Sequence, residues 1–202
     1  MGKIFYIMGK SSSGKDTIFE ELLEKKELKL QKVVLYTTRP IRSGETDGVQ
    51  YHFVDEEKLH EMTKAGKVIE IRSYDTVCGL WKYFTVDDGH MDLNKKNYLA
   101  IGTLESYKKM KNYYGEEKIV PVYVEVEDGI RLERALTREK KQQKSNYGEM
   151  CRRFLADSSD FSEENVMKAG IKKRFFNNGE ISECIEKIAS YIRESLHENT
   201  AR

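Results

Sequence analysis

The chain has 202 residues, 39% of them hydrophobic and 34% charged, and a net charge of +1 at pH 7. That length holds one well-buried α/β domain with room for a small inserted lobe, and the near-neutral balance excludes a general basic field for nucleic-acid binding. Cys78, Cys151 and Cys184 match no zinc or C-x-x-C spacing, and the N-terminal apolar run is too short for a signal peptide or a membrane span, so a protein of the reducing cytoplasm is expected.

In chain order, residues 3–8 (KIFYIM) predict a short buried strand, and Ile18, Phe19, Leu22 and Leu23 then share one helical face. Residues 33–36 (VVLY) predict a second strand, 37–50 a polar loop and 52–54 a short strand. A helix is expected over 56–65, with Gly66 as its C′ residue. Short strands follow at 68–71 and 82–86, then strands at 98–101 and 119–125 separated by a helix near 104–112. Helices are predicted at 129–140 and 147–157 with a polar stretch between them, then a strand at 173–176 and a last helix over 180–196. Ile181, Ile185, Ile188, Ile192 and Leu196 run down one face of that last helix. The alternation predicts an α/β fold: a three-layer core with a parallel sheet (1–36 and 87–202), a small β-rich lobe over 37–86 and a helical lid over 134–158. Ligands are then expected at the C-terminal ends of the parallel strands.

The strongest local signal is Gly9-Lys10-Ser11-Ser12-Ser13-Gly14-Lys15-Asp16-Thr17, a G-x-x-x-x-G-K between a predicted strand and a predicted helix. Glycines let the backbone wrap an oxyanion, amide N–H groups point inward, and the helix N-terminus adds partial positive charge. Gly9, Ser11, Ser12, Ser13, Gly14, Lys15, Asp16 and Thr17 are therefore candidate ATP-binding residues, with Lys15 reaching the β- and γ-phosphates. Thr17 is the candidate contact for a phosphate and its Mg²⁺. Asp16 either meets that ion through water or caps the helix. On the loop residues alone, a Gly/Ser-rich helix cap reads the same way.

Residues 37–54 carry T-T-R-x-x-R-x-G-E-x-x-G-x-x-Y-x-F-V. Arg39 and Arg42, three apart in a loop, are suited to clamp one dianion, with Tyr51 donating its hydroxyl. This segment, at its distance from the phosphate loop, resembles the monophosphate-binding segment of guanylate kinases, densely over 3–90 and more loosely over 98–196. The resemblance implies an ATP- and Mg²⁺-dependent nucleoside monophosphate kinase, most readily converting GMP to GDP. It gives Arg39, Arg42 and Tyr51 to the acceptor phosphate and Glu70 to the guanine N1 and exocyclic amine. It implies catalytic lid arginines, here Arg134, Arg138 and Arg152 beside Lys15 and Arg39, and an adenine contact near Asn177. A monomer or homodimer is expected, with no nucleic-acid or membrane partner.

The chain departs from that pattern at several positions. Leu35 stands where a small hydroxyl residue is usual, Cys78-Gly79-Leu80 replaces Y-G-[ST], and Ile101-Gly102-Thr103 follows the strand that usually leads into an Asp-x-Asp, with Glu105 the nearest acid. Two other readings follow: a related kinase for another small phosphate such as ribose 1,5-bisphosphate or another nucleotide, suggested by Lys15-Asp16-Thr17, and a non-catalytic binding module, disfavoured by the retained Lys15.

Overall fold

A computed structural model describes residues 2–76 and 79–197. Five strands form a parallel sheet in the order β2-β7-β1-β8-β9, made of β1 (Ile4–Met8), β2 (Leu30–Lys32), β7 (Asn97–Gly102), β8 (Ile119–Glu125) and β9 (Arg174–Phe176). β1 is central, and all five of its residues are buried. A strand covered on both faces reads as a continuous apolar run, as KIFYIM does. Phe5 and Ile7 pack with Ile18, Phe19 and Leu22 of α1 (Lys15–Glu24) and with Ile185, Ile188 and Ile192 of α7 (Ile181–His197). Ile4, Tyr6 and Met8 point the other way, onto Leu104, Tyr107 and Met110 of α3 (Leu104–Tyr114) and Val166 of α6 (Glu163–Lys168). Helices on both faces make the three-layer core. Each fully buried aliphatic side chain in it contributes about 1.5–3 kcal/mol.

A second sheet has the order β4-β3-β6-β5: β3 (Leu35–Thr37), β4 (Tyr51–Phe53), β5 (Val68–Thr76) and β6 (Gly79–Val86). It encloses a small core of Tyr36, Leu59, Phe84 and Val86, with Leu59 supplied by α2 (Glu56–Lys64). Asp55 caps α2 by accepting the Lys58 backbone N–H at 2.7 Å, and Gly66 past its end has φ of 69°.

The structure corrects the reading of 33–36 as one strand. Val33 makes a last core bond, its N–H to the Leu99 carbonyl at 2.9 Å, and the chain then leaves: Tyr36 pairs with Phe84 in the second sheet. The core-edge strand is instead Leu30–Lys32, too polar to show by composition. The hairpin strands β5 and β6 are longer than their apolar segments predict, and Cys78 lies outside the described residues. The short helix α6, capped by Ser162, has no counterpart in the predicted elements. Two further helices, α4 (Asp128–Lys140) and α5 (Tyr147–Asp160), lie against each other above the loop that follows β1. Among the described residues no helix is long and apolar enough to cross a membrane.

Candidate active site

The loop after β1 sits at the C-terminal edge of the parallel sheet, where β1 hands over to α1. Its glycines are required by contact. A Cβ at Gly9 would meet the Val124 carbonyl oxygen at 2.4 Å, and one at Gly14, where φ is +83°, would meet the Asn177 amide nitrogen at 2.6 Å. Ser12 also has positive φ, 64°, a conformation that a serine holds only where its surroundings impose it. The buried hydroxyls of Ser12 and Ser13 have no hydrogen-bond partner among the described residues. Buried polar groups are nearly always paired, so two orphan hydroxyls in a loop of inward-turned backbone point to a polar ligand. Lys15 opens α1 with its ammonium 3.6 Å from Asp16, itself 85% exposed. Asp16 and Thr17 are both exposed in the first turn of α1. A carboxylate and a hydroxyl beside a phosphate cradle form an all-oxygen set, which suits Mg²⁺. Asn177 is 2% exposed and braces the loop from below, its amide donating to the Ser13 carbonyl at 2.9 Å. Its Oδ1 has no partner.

Between α4, α5 and the loop tip lies a cavity of about 170 Å³ lined by Ser11, Ser12, Arg131, Arg138, Arg153 and Phe154, among others. Arg131 is 1% exposed and ion-paired with Asp128 at 3.0 Å and Asp157 at 3.6 Å. Its guanidinium lies 3.6 Å from the centre of the Phe154 ring, and its Nη1 has no hydrogen-bond acceptor. Asp157 also accepts the Ser11 backbone N–H at 2.7 Å. Of the lid arginines expected from sequence, Arg138 lines this cavity, whereas Arg134 does not, and Arg152 turns outward onto Glu149 at 2.7 Å. Arg153, next in the chain, takes the inward position.

The second group of candidate residues is built on the loop between β3 and β4. Arg39 is 3% exposed and grips Glu45 end-on, Nη2 to Oε1 at 2.7 Å and Nη1 to Oε2 at 3.0 Å, while Nη1 also donates to the Pro40 carbonyl at 2.9 Å. Three of the five guanidinium N–H donors are thereby used, and the Tyr83 hydroxyl also hydrogen-bonds with the guanidinium. The hydrogen bonds from Arg39 hold the Glu45 carboxyl below its ordinary range. Tyr51 and Phe53 flank the guanidinium, at 5.5 and 5.4 Å from ring centre to Cζ. Glu45 also accepts the Arg42 backbone N–H at 2.8 Å, and the exposed Arg42 side chain lies over Trp81 at 5.6 Å.

Glu70 is buried, and its carboxylate is heavily engaged. Oε1 accepts from Thr85 Oγ1 at 2.8 Å and from Arg72 Nη2 at 3.3 Å, and Oε2 accepts from Arg72 Nε at 3.1 Å. A carboxylate offers about four acceptor positions, so about one is left. Beyond this pair the C-terminal end of β7 carries no acid. A Cβ on Gly102 would meet Tyr6 Oη at 2.1 Å and Ser106 Oγ at 2.7 Å, and those two hydroxyls bond each other at 2.7 Å. Glu105 points outward to Lys109 at 2.8 Å.

Two clusters of candidate anion-binding residues thus stand on one α/β scaffold, and the guanylate kinase family model matches residues 1–194. The chain belongs to the guanylate kinase family. Over nearly their full lengths it is 27% identical to the guanylate kinase of Wolbachia pipientis wMel (96% of this chain, 90% of that one) and 27% identical to that of Mycoplasma mobile (98% and 95%). With the guanylate kinase of Aliivibrio fischeri it shares 34% identity over 93 residues, a match that spans only 45% of that relative. The crystal structure of guanylate kinase from Anaplasma phagocytophilum superposes with a TM-score of 0.66 at 20% identity, covering 96% of this chain and 85% of that one, a likeness of fold. Guanylate kinases are nucleoside monophosphate kinases. The Gly9–Thr17 loop and the Arg39, Arg42, Tyr51 segment are local in the sequence. Arg131 was missed, although it falls on the same α4 face as Ala135 and Arg138, at i, i+4 and i+7, a spacing that marks the inward side of that helix.

Proposed function

We propose that this chain transfers the γ-phosphoryl group of ATP to the phosphate of GMP, giving ADP and GDP. The observation that carries the reading is the pair of donor sets on one scaffold: the orphan hydroxyls and turned-in backbone of the Ser11–Gly14 loop, and the Arg39 guanidinium held in place by Glu45. The loop and Lys15 hold the β- and γ-phosphates. Arg39, Arg42 and Tyr51 hold the acceptor phosphate. An acceptor oxygen attacks the γ-phosphorus in line while the bond from that phosphorus to the β,γ-bridging oxygen breaks and ADP leaves. The acceptor is already an anion, so no general base is required. Catalysis then consists of positioning and of charge stabilisation by fixed cations. Lys15, Arg138 and Arg153 supply those cations, with Arg134 and Arg152 on the outer side of the lid over 134–158. Thr17 and, through water, Asp16 are the residues for Mg²⁺, which when bound with ATP neutralises charge on its phosphates. We read the chain as a cytoplasmic protein acting on small nucleotides.

A second reading keeps the reaction and changes the acceptor. It is favoured by Arg72 and Thr85, which together occupy most of the Glu70 carboxylate where a guanine would need two acceptor positions, and by the absence of an acid at Gly102. Purified protein with Mg-ATP and a panel of GMP, dGMP, AMP, CMP, UMP, dTMP, IMP and ribose 1,5-bisphosphate, with products resolved by ion exchange, separates the two. GMP conversion lost in both Lys15→Met and Arg39→Ala supports the first. Conversion of another acceptor but not of GMP replaces it with the second. Lys15→Met is expected to lower kcat by about 10²-fold or more and to leave stability within about 0.5 kcal/mol, because its one ion pair is to an exposed carboxylate.

A further inference from the structure

We propose that His52, Asp88 and His90 form a binding site for a divalent transition-metal ion of the zinc type, separate from the nucleotide machinery. One ligand atom from each, an imidazole nitrogen from each histidine and a carboxylate oxygen, lie within 4.8 Å of one another. The three come from two segments. His52 stands in the middle of β4, the edge strand of the second sheet, and Asp88 and His90 lie just after β6, where the chain returns to the parallel sheet.

The cluster is already held in shape. The Asp88 Oδ2 accepts the Tyr36 hydroxyl at 2.6 Å and lies 2.9 Å from His90 Nδ1, and Oδ1 accepts the His90 backbone N–H at 2.9 Å. The His52 ring lies between the rings of Tyr36 and His90, with centres 4.5 and 6.2 Å away. The far side is tied to the core, since Tyr98 of β7 donates its hydroxyl to the His90 carbonyl at 3.3 Å and accepts the Asp92 N–H at 2.8 Å. The 2.9 Å between His90 Nδ1 and Asp88 Oδ2 is close to the separation of two ligands on one ion, so a neutral His90 can offer Nδ1 beside that oxygen.

Two neutral imidazoles and one carboxylate suit zinc, cobalt or nickel and are a poor set for magnesium, which prefers oxygen alone. Ligand bonds of about 2.0–2.2 Å require the three atoms to draw closer than they now stand. The His90 side chain is 76% exposed and has the freedom to turn inward. Water completes the coordination. Bound there, the ion cross-links the edge of the second sheet to the segment that joins it to the core.

The test is titration of chelator-treated, nucleotide-free protein with Zn²⁺ by calorimetry and with Co²⁺ by visible absorption, with thermal melting alongside. One Zn²⁺ per chain, a Co²⁺ d–d spectrum displaced by Zn²⁺, and a raised Tm are expected. His90→Ala, at an exposed position, is expected to weaken binding roughly tenfold or more and to abolish the Tm shift while its metal-free melt stays unchanged. His52→Ala should do the same, and His60→Ala, exposed on α2, should bind as the parent does. Absence of stoichiometric binding in the parent, or binding that survives both His52→Ala and His90→Ala, would overturn the site.

Discussion

The carboxylate of Asp157 accepts the backbone N–H of Ser11 at 2.7 Å, joining helix α5 directly to the tip of the phosphate loop. The same oxygen lies 3.6 Å from Arg131. One acid thus links a loop amide to the buried cation of α4, and on the proposed function it sets a negative charge beside the path of the triphosphate.

Replacing that charge without its shape isolates the electrostatic part. Asp157→Asn keeps an oxygen acceptor for Ser11. We predict that its KM for ATP falls severalfold at low ionic strength and that the advantage shrinks as salt rises. Steady-state kinetics at two salt concentrations measure this, and an unchanged KM at low salt would show that the bond matters only as an anchor.

Arg131 is built into the lid as well as facing its cavity. Arg131→Ala removes its hydrogen bonds to Asp128 and Ser158 and its contact with the Phe154 ring. A loss of about 2–3 kcal/mol in urea unfolding is expected. Arg131→Lys restores the charge but not the planar fork, so it should recover only part of that stability. Full recovery by lysine would mean that charge alone is at work.

The Arg39–Glu45 clamp predicts an acid limb in stability. Hydrogen bonding from Arg39 lowers the Glu45 carboxyl below its ordinary 4.5. A carboxyl with a depressed folded-state pKa adds stability that is whole above the unfolded value and disappears as pH falls through the folded one. Melting curves taken between about pH 6 and pH 2 should therefore show a steeper acid decline in the parent than in Glu45→Gln, which cannot titrate. The same variant, with Arg39 no longer held by a charged partner, should raise KM for the acceptor more than it lowers kcat. Parallel acid limbs in the two proteins would remove Glu45 as the source.

Arg72 predicts how the acceptor base is read. Arg72→Met frees acceptor positions on Glu70 and leaves a buried carboxylate bonded to Thr85 alone. The variant should lose about 1–3 kcal/mol of stability and gain selectivity for GMP over IMP, which lacks the 2-amino donor, by roughly tenfold. Competition kinetics with the two nucleotides measure the ratio. A ratio that does not move would place the base away from Glu70.

What the sequence discloses here follows how local each feature is. The phosphate loop is nine consecutive residues whose meaning lies in their order, and Gly9 and Gly14 sit where backbone contact forbids a side chain. The Arg39–Tyr51 segment is similarly contained, and even Glu45 lies within it. Glu70 was legible as an acid in a strand, but its partners were not. Arg72 faces the same side of β5 two residues on, and Thr85 reaches Glu70 only because β5 and β6 pair. The choice between Arg152 and Arg153 turned on about 100° of helix rotation, which the charges flanking α5 do not fix. The split of residues 30–37 between two sheets was hidden because Leu-Gln-Lys is too short and polar to register as a core edge, while Val-Val-Leu-Tyr is apolar on both sides of the break.

The contact between Gly102 and Tyr6 bears on which mutational routes are open to this enzyme. With a tyrosine hydroxyl 2.1 Å from where any β-carbon at 102 must go, an acid cannot be introduced there in one step. Tyr6 would have to shrink first, and in the absence of the new side chain that change opens a hole in the core and removes the Tyr6–Ser106 hydrogen bond. Each substitution is harmful without the other, so the order in which they arise creates a valley between two workable sequences, and directed evolution by single steps should explore other positions before this one.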